Sequence, residues 1–155
     1  MRTAAENIGY LWIDEPEECA RVSDCIRTAT EAYQRARKEF ERLILCGIGA
    51  GGAYCVMLAG RFSPEGVWIE PFRDGSCDKF FQTLRSCAPN LFAVCARTDI
   101  LLPDGVSARD RKRILRFTGQ MRAAEKSVEV LKRGAENGNG LRNRAIHGRI
   151  IKTLA

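Results

Sequence analysis

The stretch Leu43-Ile44-Leu45-Cys46-Gly47-Ile48-Gly49-Ala50-Gly51-Gly52 decides the fold of this chain. Its four leading apolar residues are typical of a buried parallel strand, and its glycines predict a sharp turn. The residues after the glycines, 53–59, are mostly small and apolar, which favours a helix. We therefore expect a strand, a tight turn and a helix, the repeating unit of α/β proteins.

Two unrelated kinds of site are built on such a turn. Gly47, Gly49 and Gly52 satisfy G-x-G-x-x-G, the fingerprint of a dinucleotide site that would bind NAD or FAD. Glu70, at the end of the next predicted strand, would then hold the ribose hydroxyls. Gly47, Gly49 and Gly51 satisfy a nucleophile elbow, G-x-S-x-G, except that glycine replaces the nucleophile. The two motifs predict different functions.

Apolar runs and helical spacing alternate along the chain. Strands are predicted at 10–14, 43–46, 67–70 and 90–95, and helices end near Phe40 and Arg61 and cover 79–86. This alternation predicts an α/β fold, a three-layer sandwich with a mostly parallel sheet of about four or five strands. The segment 99–105 is expected to be a loop.

A long C-terminal helix is predicted over residues 107–133. Its apolar residues follow a heptad spacing, at Ile114, Phe117, Met121, Ala124, Val128 and Leu131. Such a stripe packs onto the sheet or forms the seam of a homodimer. We expect one domain over 1–133, followed by a flexible glycine- and asparagine-rich linker and a basic tail over 134–155.

The order of motifs between residues 8 and 103 resembles the α/β-hydrolase superfamily. In that family an apolar strand enters G-x-S-x-G-G, and an alanine-rich helix, a proline-containing turn and a strand ending near an acidic residue follow. The corresponding segments here are Gly47-Ile48-Gly49-Ala50-Gly51-Gly52, Leu58-Ala59-Gly60-Arg61, Ser63-Pro64-Glu65 and Ile69-Glu70-Pro71. The segment 96–103 resembles the family's acid-bearing loop.

The resemblance implies a role for each matching position. Gly49 stands at the nucleophile position and has no side chain with which to attack a carbonyl. The amide of Ala50 would remain as one oxyanion-hole donor, and the early loop that supplies the second donor is expected to be missing. Asp99 matches the acid, whose task is to orient a histidine. His147, the only histidine, follows it in the family's order.

Composition excludes several classes of site. The chain is 45% hydrophobic and 28% charged, as in globular proteins, and no run approaches the roughly eighteen apolar residues of a membrane span. Seven cysteines occur without a C-x-x-C pair and with one histidine, so no zinc template is met and no metal is expected. Reduced core cysteines are typical of a cytoplasmic protein.

Charge is distributed unevenly along the chain. Residues 1–106 carry 12 Lys and Arg against 15 Asp and Glu, whereas residues 107–155 carry 13 against 4. The basic C-terminal region suggests weak nucleic-acid association, although Phe117 is its only aromatic residue for stacking on bases. Arg73, Asp74 and Arg97 are expected at one rim of the sheet, where they would hold a small polar or anionic ligand.

The sequence thus predicts a catalytically degenerate α/β-hydrolase-like protein with a binding or protein-interaction role. Two alternatives stay open beside it. One is a Rossmann-like nucleotide- or flavin-binding module that uses Gly47, Gly49, Gly52 and Glu70. The other is nucleic-acid association through the basic C-terminal region.

Overall fold

The computed structural model of the protein describes residues 7–17 and 20–130. Strands and helices alternate along the chain, as predicted. The strands are β1 (Ile8–Ile13), β2 (Arg42–Ile48), β3 (Gly66–Glu70), β4 (Arg97–Leu102) and β5 (Lys126–Val130). The helices are α1 (Val22–Glu39), α2 (Ala50–Arg61), α3 (Asp78–Cys87) and α4 (Ala108–Gln120), and a 3₁₀ turn at Leu91–Ala93 precedes β4.

The five strands form one sheet in the order β1-β2-β3-β4-β5, and every neighbouring pair is parallel. The predicted parallel sheet of four or five strands is confirmed. Because each connection leads to the next strand in the same direction, right-handed crossovers place all intervening helices on one face. The strand order does not reverse anywhere in the described sheet.

The main core lies between the sheet and this layer of helices. Leu43 and Leu45 of β2 are fully buried beneath α2, which is itself buried from Ala50 to Ala59. Phe80 of α3 and Phe117 of α4 meet edge to face, with ring centroids 5.4 Å apart. The helix that follows the glycine turn is therefore the central helix of the layer.

The opposite face of the sheet carries a second apolar cluster, because alternate side chains of a strand point to opposite faces. Its buried members are Ile44, Cys46, Trp68 and Leu101, with Ile8, Tyr10 and Trp12 packed beside them. None of the four helices contributes to this cluster. The predicted three-layer sandwich is therefore wrong for the described part of the chain, whose helices cover one face only.

The fourth strand lies further along the chain than predicted. Residues 90–95 form no strand, because Leu91–Ala93 is a 3₁₀ turn capped by the side chain of Asn90. The strand comprises Arg97–Leu102, so Asp99 lies inside a strand where a loop was predicted. Both segments are apolar, and pairing decides between them, since only the second bonds to strands on both sides.

The predicted helix over 107–133 is also wrong. α4 ends at Gln120, and Lys126–Val130 forms the edge strand β5 beside β4. Val128, counted in the heptad stripe, is the strand partner of Ile100. Without β5 the outer edge of β4 would leave buried backbone groups unpaired, a penalty that outweighs continuing the helix.

The heptad residues of α4 belong to the protein's own core. Ile114, Phe117 and Met121 are between 0% and 4% exposed and pack against the sheet. They are not available for a homodimer seam along this helix. The predicted linker and basic tail, 134–155, lie outside the described residues, and so does the domain boundary near 133.

Two further findings bear on the predictions made about membrane spans and cysteines. Within residues 7–17 and 20–130, no helix combines the length and apolarity needed to cross a bilayer. All six cysteines in this part of the chain are free thiols, and four of them are buried. Cys95 is exposed rather than part of a strand.

The glycine-rich helix α2 lies closer to the sheet than side chains would permit. A Cβ at Gly51 would lie 2.1 Å from the carbonyl oxygen of Ile13, the last residue of β1. A Cβ at Gly47 would lie 2.5 Å from backbone atoms of Gly51 and Gly52. Backbone therefore packs directly on backbone at this point, and glycine is required for the approach.

We predict opposite effects for two glycine-to-alanine changes. Gly51→Ala should lower the free energy of unfolding by about 3 kcal/mol, because the added methyl group has only immobile backbone to displace. The control Gly119→Ala, in α4 with open space around its Cα, should raise it by about 0.5–1 kcal/mol. Urea denaturation followed by circular dichroism measures both, and equal effects would contradict the close approach.

The carboxylate of Glu65, in the turn before β3, links this turn to helix α1 and strand β2. Glu65 accepts hydrogen bonds from the Arg37 guanidinium of α1, at 2.8 and 3.1 Å, and from the amide of Leu43, at 2.6 Å. Burial raises the pKa of this carboxyl, but these donors outweigh burial and hold the pKa below its ordinary value. The ionised form of Glu65 therefore stabilises the contact of α1 with β2.

Glu65→Gln should destabilise the protein by about 1 kcal/mol at pH 7, since the pair is partly exposed. A carboxyl with a lowered folded-state pKa contributes stability above its unfolded pKa and loses it as pH falls through the folded value. The difference in the free energy of unfolding between the variant and the wild type should therefore shrink below about pH 4. Urea unfolding at pH 7, 5 and 3 tests this, and a difference undiminished at pH 3 would rule it out.

Candidate functional site

The turn between β2 and α2 has the geometry of a strained elbow. Gly49 has φ 56° and ψ −126°, a conformation that residues with a side chain rarely adopt. Its amide donates to the carbonyl of Glu70 at 2.8 Å, and its carbonyl accepts from the amide of Gly52 at 3.0 Å. These bonds hold Gly49 at the carboxyl edge of the sheet, so the predicted sharp turn is present.

The space that a side chain of Gly49 would enter faces a salt bridge. A Cβ at Gly49 would lie 3.1 Å from Oε1 of Glu15 and 3.3 Å from Cβ of Arg73. Arg73 Nε and Glu15 Oε2 are 3.1 Å apart, and the Glu15 side chain is 17% exposed. Oε1 of Glu15 is buried and has no hydrogen-bond partner among the residues that the structure describes. A carboxylate thus lies beside the position that a side chain of residue 49 would occupy.

The early loop beside the elbow is present, contrary to the expectation that the chain lacks it. β1 pairs directly with β2, and Ile13 lies opposite Gly47, so the loop after β1 reaches the elbow. Glu15 belongs to this loop. Ala50 is the first residue of α2, and its amide is among those that have no partner within a helix. The loop therefore brings a carboxylate to the place where the resemblance implied an oxyanion-hole donor.

Asp99 does not lie at the edge where the elbow is. It is the third residue of β4 and pairs with Trp68, whereas the elbow follows Ile48, which pairs with Glu70. At about 3.3 Å per residue, Asp99 is roughly 7 Å below the level of Glu70. Its carboxylate accepts hydrogen bonds from Ser127 and, at 3.2 Å, from Arg97.

Asp104 is the aspartate that the structure brings to the rim. It follows β4 by two residues, in the turn Pro103-Asp104-Gly105, where Gly105 has φ 81°. Sequence reasoning missed it because the strand was placed at 90–95. The proline-aspartate-glycine turn after an apolar run was the available signal, since such a turn ends a strand.

A cavity of about 430 Å³ opens beside the elbow at the carboxyl ends of β3 and β4. Its lining carries four carboxylates, those of Glu70, Asp74, Asp104 and Asp110. The described lining residues include no cation. The predicted rim cluster is only partly assembled, because Arg73 pairs with Glu15 and Arg97 begins β4 at the opposite edge. One of the four carboxylates, that of Asp110, pairs with Arg113. The predicted small polar or anionic ligand stays a prediction.

No described residue completes a hydrolytic triad. His147 lies outside the described residues, so its predicted partnership with Asp99 stays a prediction. Cys46 and Cys55 are fully buried within β2 and α2. Burial raises the pKa of Cys46 to about 12, with a contribution from Glu70, and raises that of Cys55 well above its ordinary value. Both thiols are protonated at neutral pH and do not act as nucleophiles.

The turn also lacks the properties of a dinucleotide site. Such sites lie where the strand order reverses. In the described sheet the strand order does not reverse. Glu15 would repel a pyrophosphate at the start of α2. Glu70 does end β3, but no geometry supports a ribose site with Gly47, Gly49 and Gly52.

Solved structures match this architecture, whereas no protein-family model and no curated protein matches the sequence. One match comes from work on LipS and LipT, two metagenome-derived lipolytic enzymes, with a TM-score of 0.61 and 14% identity. It covers 86% of this chain and 73% of the other. A monoacylglycerol lipase from Paleococcus ferrophilus matches with a TM-score of 0.58 and 10% identity, over 86% and 76% of the two chains.

Both matches cover most of this chain. At such low identity they show a shared fold, and a fold is compatible with many activities. The resemblance predicted from residues 8–103 is confirmed at this level. The chain has an α/β-hydrolase-like fold, similar to that of lipases and esterases.

Proposed function

We propose that this protein is a catalytically degenerate α/β-hydrolase-like protein that binds a ligand or partner instead of hydrolysing esters. One observation carries the proposal: Gly49 occupies the elbow, and the salt bridge of Glu15 and Arg73 faces the position of the missing side chain. A hydrolase elbow exists to aim a nucleophile at a carbonyl. Here the backbone geometry is retained and the nucleophile is absent.

The electrostatics of the elbow oppose acyl transfer as well. Ester hydrolysis develops negative charge on the carbonyl oxygen, which enzymes stabilise with aimed hydrogen-bond donors. Glu15 places a carboxylate beside Gly49 and leaves Oε1 without a donor. Two negative charges a few ångströms apart repel strongly where water is scarce. Restoring a hydroxyl alone would not restore the environment that catalysis requires.

The cavity beside the elbow supports the binding half of the proposal. Its carboxylates, on Glu70, Asp74, Asp104 and Asp110, suit a small polar or cationic ligand and disfavour an anionic one. Ligands of open α/β sheets bind at the carboxyl ends of the strands, where this cavity lies. The retained fold would thus keep the location of the ancestral site while its chemistry has changed.

The purified chain should release no p-nitrophenol from p-nitrophenyl acetate or butyrate above the rate in buffer. The Gly49→Ser variant should release p-nitrophenol modestly faster than the Gly49→Ala variant. The two variants share the backbone strain and differ by one hydroxyl group. Adding Glu15→Gln to Gly49→Ser should raise the rate further by removing the negative charge. Ester turnover by the unmodified chain would contradict the proposal.

Thiol reactivity provides an independent check on the absence of a nucleophile. At pH 8, iodoacetamide should alkylate the exposed Cys95 and leave the buried Cys46 and Cys55 unmodified. In about 8 M urea, where the protein is unfolded, all three cysteines should react at similar rates. Peptide mass spectrometry measures each site, and rapid labelling of native Cys46 would show that a reactive thiol lies next to the elbow.

A further inference from the structure

A groove on the surface of the helical layer lies between α3 and α4, away from the elbow. Its volume is about 780 Å³. The apolar residues that line it are Phe81, Leu84, Leu91, Leu115 and Phe117. Leu115 is 51% exposed, although it is a large apolar side chain in the middle of α4. The groove thus presents apolar surface that the described part of the chain does not cover.

Cations surround this apolar surface. Arg85 of α3 and Arg109, Lys112 and Arg116 of α4 line the groove, and none of them has an ion pair within residues 7–17 and 20–130. Arg113 differs from these four, because it stacks over the ring of Phe81 and pairs with acidic residues. Arg113 holds the wall of the groove in place, and its hydrogen bond lowers the pKa of the Asp78 carboxyl, to which the nearby Arg109 also contributes. The positive charges of Arg85, Lys112 and Arg116 face no acidic side chain in the described part of the chain.

A hydrogen bond joins the 3₁₀ turn at Leu91–Ala93, whose Leu91 lines the groove, to the end of α4. The amide of Arg122, just after α4, donates to the carbonyl of Leu91 at 3.0 Å. The next residue, Phe92, is 74% exposed, the highest value among the exposed large apolar residues. The exposed Leu115 lies on the wall of a groove whose shape the hydrogen bond to Leu91 helps to fix. Exposed apolar surface with a polar rim is typical of an interaction site.

We propose that this groove binds an acidic amphipathic helix of a partner protein. α4 has 13 residues and is about 20 Å long, which matches a partner helix of three to four turns. Apolar residues at one face of such a helix would contact the accessible lining residues Phe81, Leu91 and Leu115, and flanking glutamates would meet the cations. This mode of recognition combines burial of an apolar stripe with charge complementarity at the rim.

The geometry favours a peptide over other anionic partners. A flat lipid surface would contact the cations and the exposed Leu115 but would not enter the groove to reach Phe81 and Leu91, which are only partly exposed. A nucleic acid would use the cations but could not stack on the aromatic rings inside the groove, because Arg113 covers the ring of Phe81 and Phe117 is buried. The proposal does not depend on the loss of the nucleophile, because the groove shares no lining residue with the cavity beside the elbow.

The test uses the full-length protein and a synthetic, fluorescein-labelled 15-residue helix with leucines on one face and glutamates on both flanks. Fluorescence anisotropy should show saturable binding that weakens with added salt. A peptide of the same composition in scrambled order, and one with lysine in place of glutamate, should bind at least about tenfold more weakly, because they lack the stripe or the charge.

Two charge-matched variants locate the binding surface. Lys112→Glu with Arg116→Glu should weaken binding at least about tenfold, whereas Arg111→Glu with Arg122→Glu, which lie outside the groove, should change it less than about twofold. The exposed Leu115→Ser should also weaken binding, and circular dichroism checks that each variant is folded.

Several results would overturn the proposal. Equal losses in both double variants would show that only net charge matters. No saturable binding of the leucine-glutamate peptide would exclude the peptide site. Tighter binding to phosphatidylserine vesicles or to a single-stranded 20-mer oligonucleotide than to the peptide would assign the groove to a lipid or a nucleic acid. The result of the esterase assay does not depend on any of these outcomes, so the two proposals are tested separately.

Discussion

The direct contact between the backbone of α2 and the backbones of β1 and β2 is the constraint on which the rest of the structure depends. The first turns of α2 fit only because Gly47 and Gly51 leave no side chain between helix and sheet. This contact buries α2 at the centre of the helical layer and aims its first turn at the carboxyl edge of the sheet. Gly49 is thereby held in a strained conformation that surrounding bonds maintain. The loop after β1 is brought beside Gly49 by the same contact, and Glu15 with it.

The charged residues form two surface regions of opposite sign. The edge of the sheet beside the elbow is acidic, with Glu70, Asp74 and Asp104 around one cavity. The groove between α3 and α4 is basic, and three of its cations, Arg85, Lys112 and Arg116, have no acidic partner in the described part of the chain. In the proposed function, the fold serves as a frame for binding surfaces.

Sequence patterns predicted the elements that local chemistry determines. The strand, turn and helix from Arg42 to Arg61, the strand ending at Glu70 and the short helix α3 are all found where the sequence predicted them. The errors share one cause. An apolar run at 90–95 and a heptad spacing over 107–133 are locally consistent with a strand and a helix, but pairing across the sheet selected Arg97–Leu102 and Lys126–Val130 instead. Hydrogen bonds between segments far apart in sequence leave no periodic signal.

The sequence by itself determined that Gly49 lies in a sharp strand-to-helix turn, because the order of glycines and the apolar run before them are local features. Tertiary structure alone decided what surrounds that turn. It brought Glu15 and Arg73 to the empty side-chain position, moved Asp99 into the sheet, and placed Asp104 at the rim. The reason is physical: a turn depends on the backbone freedom of a few adjacent residues, whereas a site depends on which strands pair and where each one ends.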